Sequence, residues 1–153
     1  MREPNPILTA RDLMTTGLLS FRPEQTIMEA LAELLKLGVS GGPVIDQEGR
    51  LLGILSELDC LRLLASDEFY LEDQEEGALV EKCMTQDVLT IPGDLGIYAI
   101  SHYFLTKPIR RLPVVEDGRV IGQVSRRDVL RGVELMSRKR LVRKRFPDYL
   151  QPA

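Results

Sequence analysis

Hydrophobic positions along this chain follow a series of short patterns that is written twice. Ile27, Ala30, Leu31, Leu34 and Leu35 recur at i, i+3, i+4, i+7 and i+8, which is the stripe of one helical face. Thr26 precedes the stripe with a capping hydroxyl, and Gly38 follows it with the left-handed freedom that helix ends favour. Ile97, Ile100, Phe104 and Leu105 repeat the stripe, with Asp94 as the expected cap. A β-prone piece stands before each helix, LLSF and VLTI, closed by Pro23 and Pro92. Two apolar runs follow each helix, split by Glu48-Gly49 or Asp117-Gly118, which are hairpin turn signals. A second helix is expected after Ser56 and after Ser125. Each copy therefore reads strand, helix, strand, strand, helix, a mixed α/β (α+β) unit.

The two copies hold register closely. Asp12-Leu-Met-Thr15 answers Lys82-Cys-Met-Thr85, and Pro43-Val-Ile-Asp46 answers Pro113-Val-Val-Glu116, each 70 residues on. Gly53, Ser56 and Asp59 answer Gly122, Ser125 and Asp128 at 69. A copy of about 60 residues is too small to bury a good core alone, so two copies packed on each other are expected. The boundaries read as repeat one over residues 1–66, an acidic linker over 67–78, repeat two over 79–136 and a basic helix or tail over 137–153.

Composition narrows the class. The 153 residues are 44% hydrophobic, 28% charged and 5% aromatic, without Trp, so the expected core is aliphatic and the protein globular. A net charge of −3 argues against a general nucleic-acid binder. No apolar run approaches the ~20 residues that span a bilayer, and the N-terminus lacks the apolar centre of a secretory signal. Cys60 and Cys83 have neither metal-ligand spacing nor a disulfide framework and read as small packed residues. These features fit a cytoplasmic protein.

The stretches DLMTTGLLSFRPEQTIMEAL, GVSGGPVIDQEGRLLGILSELD, CMTQDVLTIPGD and RRLPVVEDGRVIGQVSRRD together resemble the CBS domain. The chain is similar to a tandem CBS pair, or Bateman module, over roughly residues 8–136. With no catalytic domain attached, it resembles a stand-alone pair. The resemblance implies a regulatory module rather than an enzyme, without a cofactor or metal. It implies adenosine ligands such as AMP, ADP or ATP, or S-adenosylmethionine, in clefts between the copies. It also implies a homodimer and an effector protein as partners; the charge and the short apolar runs disfavour nucleic acid and membrane.

The residues supply their own chemistry. Ser125-x-x-Asp128 at a helix start resembles a capping box, and it also lies where free N–H groups and the helix dipole attract anions. Ser125 is expected to donate to a phosphate, and Asp128 to accept from ribose hydroxyls. Arg126 and Arg127 lie inside this motif, and Arg110 and Arg111 precede Leu112-Pro113. Four such cations suit paired hydrogen bonds to phosphate, although any one of them also reads as a solvated charge. By resemblance the base wall comes from Thr26, Ala30, Val39 and Ser40 with Gln123 and Val124, of which Ala30 and Val39 read singly as core. Copy one has Ser40-Gly41 and Glu57-Leu58 at the places of the arginines, so Ser56 and Asp59 mark a second, weaker site.

Three features remain. The segment Asp67–Glu81 has seven acids and no Lys or Arg and reads as a solvated connector. The tail carries Arg138, Lys139, Arg140, Arg143, Lys144 and Arg145, a basic helix end that Pro147 stops. It suits a competing reading, a ligand-independent dimerisation or adaptor module that docks a partner through its tail. His102, the single histidine, has no evident nucleophile beside it and does not read as catalytic.

Overall fold

A strand pattern interrupted by glycine turns gives two hairpins. In the computed structural model, which describes residues 7–65 and 78–144, β1 (Gly41–Ile45) pairs antiparallel with β2 (Leu51–Ser56). In the other hairpin β3 (Arg111–Glu116) pairs with β4 (Arg119–Ser125). Asp117 and Gly118 both take positive φ, 52° and 76°, as a two-residue type I′ turn requires. The first hairpin turns more widely. Asp46 Oδ1 accepts from the N–H groups of Glu48 and Arg50, each at 2.9 Å, and Gly49 takes φ 79°. These two hydrogen bonds hold the Asp46 carboxyl below the ordinary aspartate range, the one from Arg50 most strongly.

Six helices complete the described residues: α1 (Ala10–Leu13), α2 (Ile27–Leu37), α3 (Glu57–Leu64), α4 (Val80–Cys83), α5 (Ile97–Thr106) and α6 (Arg126–Lys144). Thr26 caps α2, its hydroxyl accepting from Glu29 N–H, and Gly38 closes it at φ 63°. Three expectations change. The pieces LLSF and VLTI form no strands. Each makes a single parallel bridge, Phe21 to Val44 and Ile91 to Val114; after Phe21 the next N–H due to face the partner strand belongs to Pro23, which has none. Gly96, not Asp94, is the cap of α5. The Ile97 N–H is met instead by the carbonyl of Leu8 at 2.8 Å, so no capping side chain is needed. Leu35 and Leu105 are 75% and 85% exposed. At 3.6 residues per turn, position i+8 lies about 80° off the stripe's first residue, at the rim of the buried face.

The described residues sort into two compact units. One holds residues 7–16, 91–114 and 122–144, and the other holds 17–65, 78–90 and 115–121. The division does not follow the two copies in sequence. Helix α1 packs on α6, whereas α4 packs on α2, α3 and β2. Each copy's opening segment is thus built into the unit that carries the other copy's helices, while the turn of the β3–β4 hairpin, residues 115–121, is grouped with the second unit. The second unit's core is Phe21, Ile27, Ala30, Leu34, Val44, Leu55, Cys60 and Val80. The first buries Ala10, Leu13, Ile91, Ile97, Ile100, Leu112, Val114, Val124 and Val129. Full burial of such aliphatic side chains contributes about 1.5–3 kcal/mol each, and the aliphatic expectation holds apart from Phe21. The acidic segment, save its last residues, and the tail beyond Lys144 lie outside the described residues.

Candidate functional site

Two buried carboxylates organise the two helix starts that follow the hairpins. Asp128 is 5% exposed and Asp59 is 4%, and such carboxylates are kept only when they are hydrogen-bonded. In the first unit, Asp128 Oδ2 accepts from Ser125 N at 2.8 Å and Ser125 Oγ at 2.9 Å. Ser125 Oγ in turn accepts from Asp128 N at 3.3 Å. That reciprocity is a capping box, and it starts α6 directly after β4. Asp128 Oδ1 accepts from Thr15 Oγ1 at 3.2 Å and Arg131 Nη1 at 3.0 Å. The second unit repeats every contact. Asp59 Oδ2 takes Ser56 N and Oγ at 2.9 and 3.0 Å, and its Oδ1 takes Thr85 Oγ1 at 3.1 Å and Arg62 Nη1 at 3.4 Å.

The glycines of the shared motif have a packing cause. A Cβ on Gly122 would lie 2.5 Å from Met14 Sδ, and one on Gly53 would lie 2.7 Å from the Thr85 carbonyl and 2.8 Å from Met84 Sδ. The adjacent threonine then bridges the next residue of the strand. Thr15 exchanges backbone bonds with Gln123 at 2.8 and 3.1 Å, and Thr85 with Ile54 at 2.9 Å each way. Met-Thr, Gly-x-x-Ser-x-x-Asp and an arginine three residues beyond the aspartate thus form one constellation. Sequence reading missed Thr15, Thr85, Arg62 and Arg131. The signal was present: the Met-Thr pairs mark the repeat, and Arg62 answers Arg131 at the same 69-residue spacing as the aspartates.

The remaining expected residues divide between the units. Ser125, Asp128, Gln123, Val124 and all four arginines lie in the first. Arg126 and Arg127 open α6 and are exposed, Arg110 is exposed, and Arg111 begins β3 half-buried. Arg126 Nη2 reaches the carbonyl of Ile109, the residue before Arg110, at 3.5 Å. Thr26, Ala30, Val39, Ser40, Ser56 and Asp59 lie in the second unit. There Thr26 caps α2, and the Ser40 carbonyl accepts from Glu57 N at 2.9 Å. Val39 is 38% exposed, whereas Ala30 and Val124 are wholly buried core and present no side-chain surface. The Ser125 hydroxyl proton, expected to meet a phosphate, points to Asp128 in this structure. His102 is exposed on α5.

The second unit also carries an apolar groove of about 450 Å³ between α2 and α3, lined by Ile27, Met28, Leu31, Leu35, Val39 and Leu61 among others. Among the described residues there is no cluster of side chains able to hold a metal ion. None of the described helices is long and apolar enough to cross a membrane.

The family model described as the CBS domain matches residues 10–66 and 80–142. An A-adding tRNA nucleotidyltransferase of Aquifex aeolicus is 31% identical over 127 residues, covering 83% of this chain and 14% of that protein. The chain spans less than half the length of the curated relatives it matches first. Among solved structures, CBSX2 of Arabidopsis thaliana in complex with AMP matches with TM-score 0.75 at 31% identity, over 85% of this chain and 98% of that one. The CBS domain pair of protein MJ0100, in complex with 5′-methylthioadenosine and S-adenosyl-L-methionine, matches with TM-score 0.70 at 27% identity, over 88% and 99%.

Proposed function

The chain belongs to the CBS domain family, two copies in tandem, and from that premise we propose that it is a regulatory module that binds adenine nucleotides or related adenosyl ligands. The carrying observation is the unequal charge of the two equivalent edges. In the first unit Arg126 and Arg127 open α6 between Ser125 and Asp128, and Arg110 and Arg111 follow Ile109, whose carbonyl Arg126 reaches. In the second unit Ser40, Gly41, Glu57 and Leu58 stand at those positions. Guanidinium groups at a helix N-terminus favour a phosphate-bearing ligand, and a carboxylate there repels one. The ribose and phosphate grips are therefore assigned to Asp128 and the arginines, at the helix start that Ser125 caps, and Ser56 with Asp59 marks the weaker site. Solved relatives carry AMP, 5′-methylthioadenosine and S-adenosylmethionine, which supports the ligand class.

Calorimetry with AMP, ADP, ATP, adenosine and S-adenosylmethionine tests the reading. We expect binding that Arg111→Ala weakens for AMP much more than for adenosine, since adenosine lacks the phosphate. Equal losses for both would remove the phosphate role. Binding of no ligand in the panel would favour the alternative reading, a ligand-independent dimerisation or adaptor module that docks a partner through its tail. Ligand occupancy acts on an effector protein only if the two conformations involved differ in affinity.

A further inference from the structure

We infer that Thr15 and Arg131 already hold the carboxylate oxygen that a ligand's ribose must use, so ligand binding is an exchange at Asp128 Oδ1. This inference rests on the adenosyl-binding reading above. The two oxygens of Asp128 have different duties. Oδ2 takes both of its donors from Ser125 and cannot be surrendered without uncapping α6. Oδ1 takes its donors from elsewhere: the Thr15 hydroxyl, 113 residues away in sequence, and the Arg131 guanidinium. A carboxylate has about four acceptor positions, and all four are in use.

The two Oδ1 contacts are the replaceable ones. At 3.2 Å the Thr15 bond is long for an O–H···O bond, whose usual separation is about 2.7–2.8 Å. The Arg131 side chain is 67% exposed, so it can swing into water at little cost. A vicinal diol brings two hydroxyl donors in their place and leaves the helix cap intact. Thr15 and Arg131 are therefore positioning residues that set affinity by competing for Asp128. Thr85 and Arg62 stand in the same relation to Asp59. Exchange at Asp128 also frees the side chain that ties the Met14-Thr15 segment to α6, which gives occupancy a local structural consequence.

The test measures AMP binding by calorimetry on the full chain and on Thr15→Val, Thr15→Ser and Arg131→Gln, together with each melting temperature. The expected result is AMP binding about five-fold tighter in Thr15→Val and in Arg131→Gln, the worth of one competing hydrogen bond. Both variants should melt lower than wild type, and Thr15→Ser should match wild type in both measurements. A purely structural role would lower stability and affinity together. AMP bound with unchanged or weaker affinity by both variants overturns the exchange and leaves the adenosyl-binding reading standing. Should Thr15→Val fail to fold, the exposed Arg131→Gln carries the comparison alone. Absence of AMP binding by the wild type overturns the exchange for AMP, and absence of binding to every ligand of the panel above overturns the adenosyl-binding reading as well.

Discussion

At Gly53 and Gly122 a hydrogen stands where any other residue would place a methyl group against a neighbouring segment. The Gly53 position is the tighter to relieve, because its neighbour is the Thr85 backbone carbonyl, which the Ile54 N–H also holds. Gly53→Ala should therefore cost about 1–3 kcal/mol, as overpacking does. Urea denaturation would show a lower midpoint with an unchanged slope. Residue-scale chemistry also separates the two cysteines. Burial raises the Cys60 thiol above its ordinary pKa, and the Asp59 charge adds to this. The thiolate is the reactive form. Iodoacetamide at pH 8 should thus label half-buried Cys83 well before Cys60 in the native protein, and equal rates would contradict the burial seen here. The motif glycines were visible in sequence, but their cause was not, since Met14 and Gly122 meet only in the folded chain.

At the scale of elements, legibility followed how local each determinant is. Helix α2 was readable because its cap, stripe and terminal glycine all lie within Thr26–Gly38. The turn at Asp117-Gly118 was readable because two consecutive positive φ angles demand such residues. The cap of α5 was not, because its free N–H is met by the Leu8 carbonyl of a distant segment. The first strands of each copy were overread: β-propensity was present, yet each piece makes one bridge only. At the site, the serine, aspartate and arginines were legible from the repeat. Thr15 and Arg131 were not assigned because their partner, Asp128, looked reserved for a ligand. The Asp46 loop gives a further check at this scale. Its lowered carboxyl pKa stabilises the fold above the ordinary aspartate range and ceases to do so as pH falls through the lowered value. Asp46→Asn should accordingly flatten the acid limb of the stability–pH curve, and an unchanged limb would show that the loop bonds carry no linkage.

At the scale of the whole molecule, apolar surface remains on helices of both copies. Leu35 and Leu61 are 75% and 58% exposed beside the α2–α3 groove, and Leu105 and Leu130 are 85% and 66% exposed on α5 and α6. Apolar patches of this kind usually mark an interaction surface, and a second copy of the chain is the occupant the homodimer reading assigns. Leu35→Glu with Leu61→Glu should shift the sedimentation coefficient to that of a monomer, and an unaltered value would exclude this groove. The passage of each opening segment into the opposite unit has one more outcome. Cleaved between residues 66 and 77, the polypeptide gives two halves, and each holds the plug for a gap in its sibling. Alone, each half should be poorly helical by circular dichroism. Mixed in equal amounts, they should regain a cooperative melt, because neither Met14 nor Met84 seats against glycine without the other strand of the break.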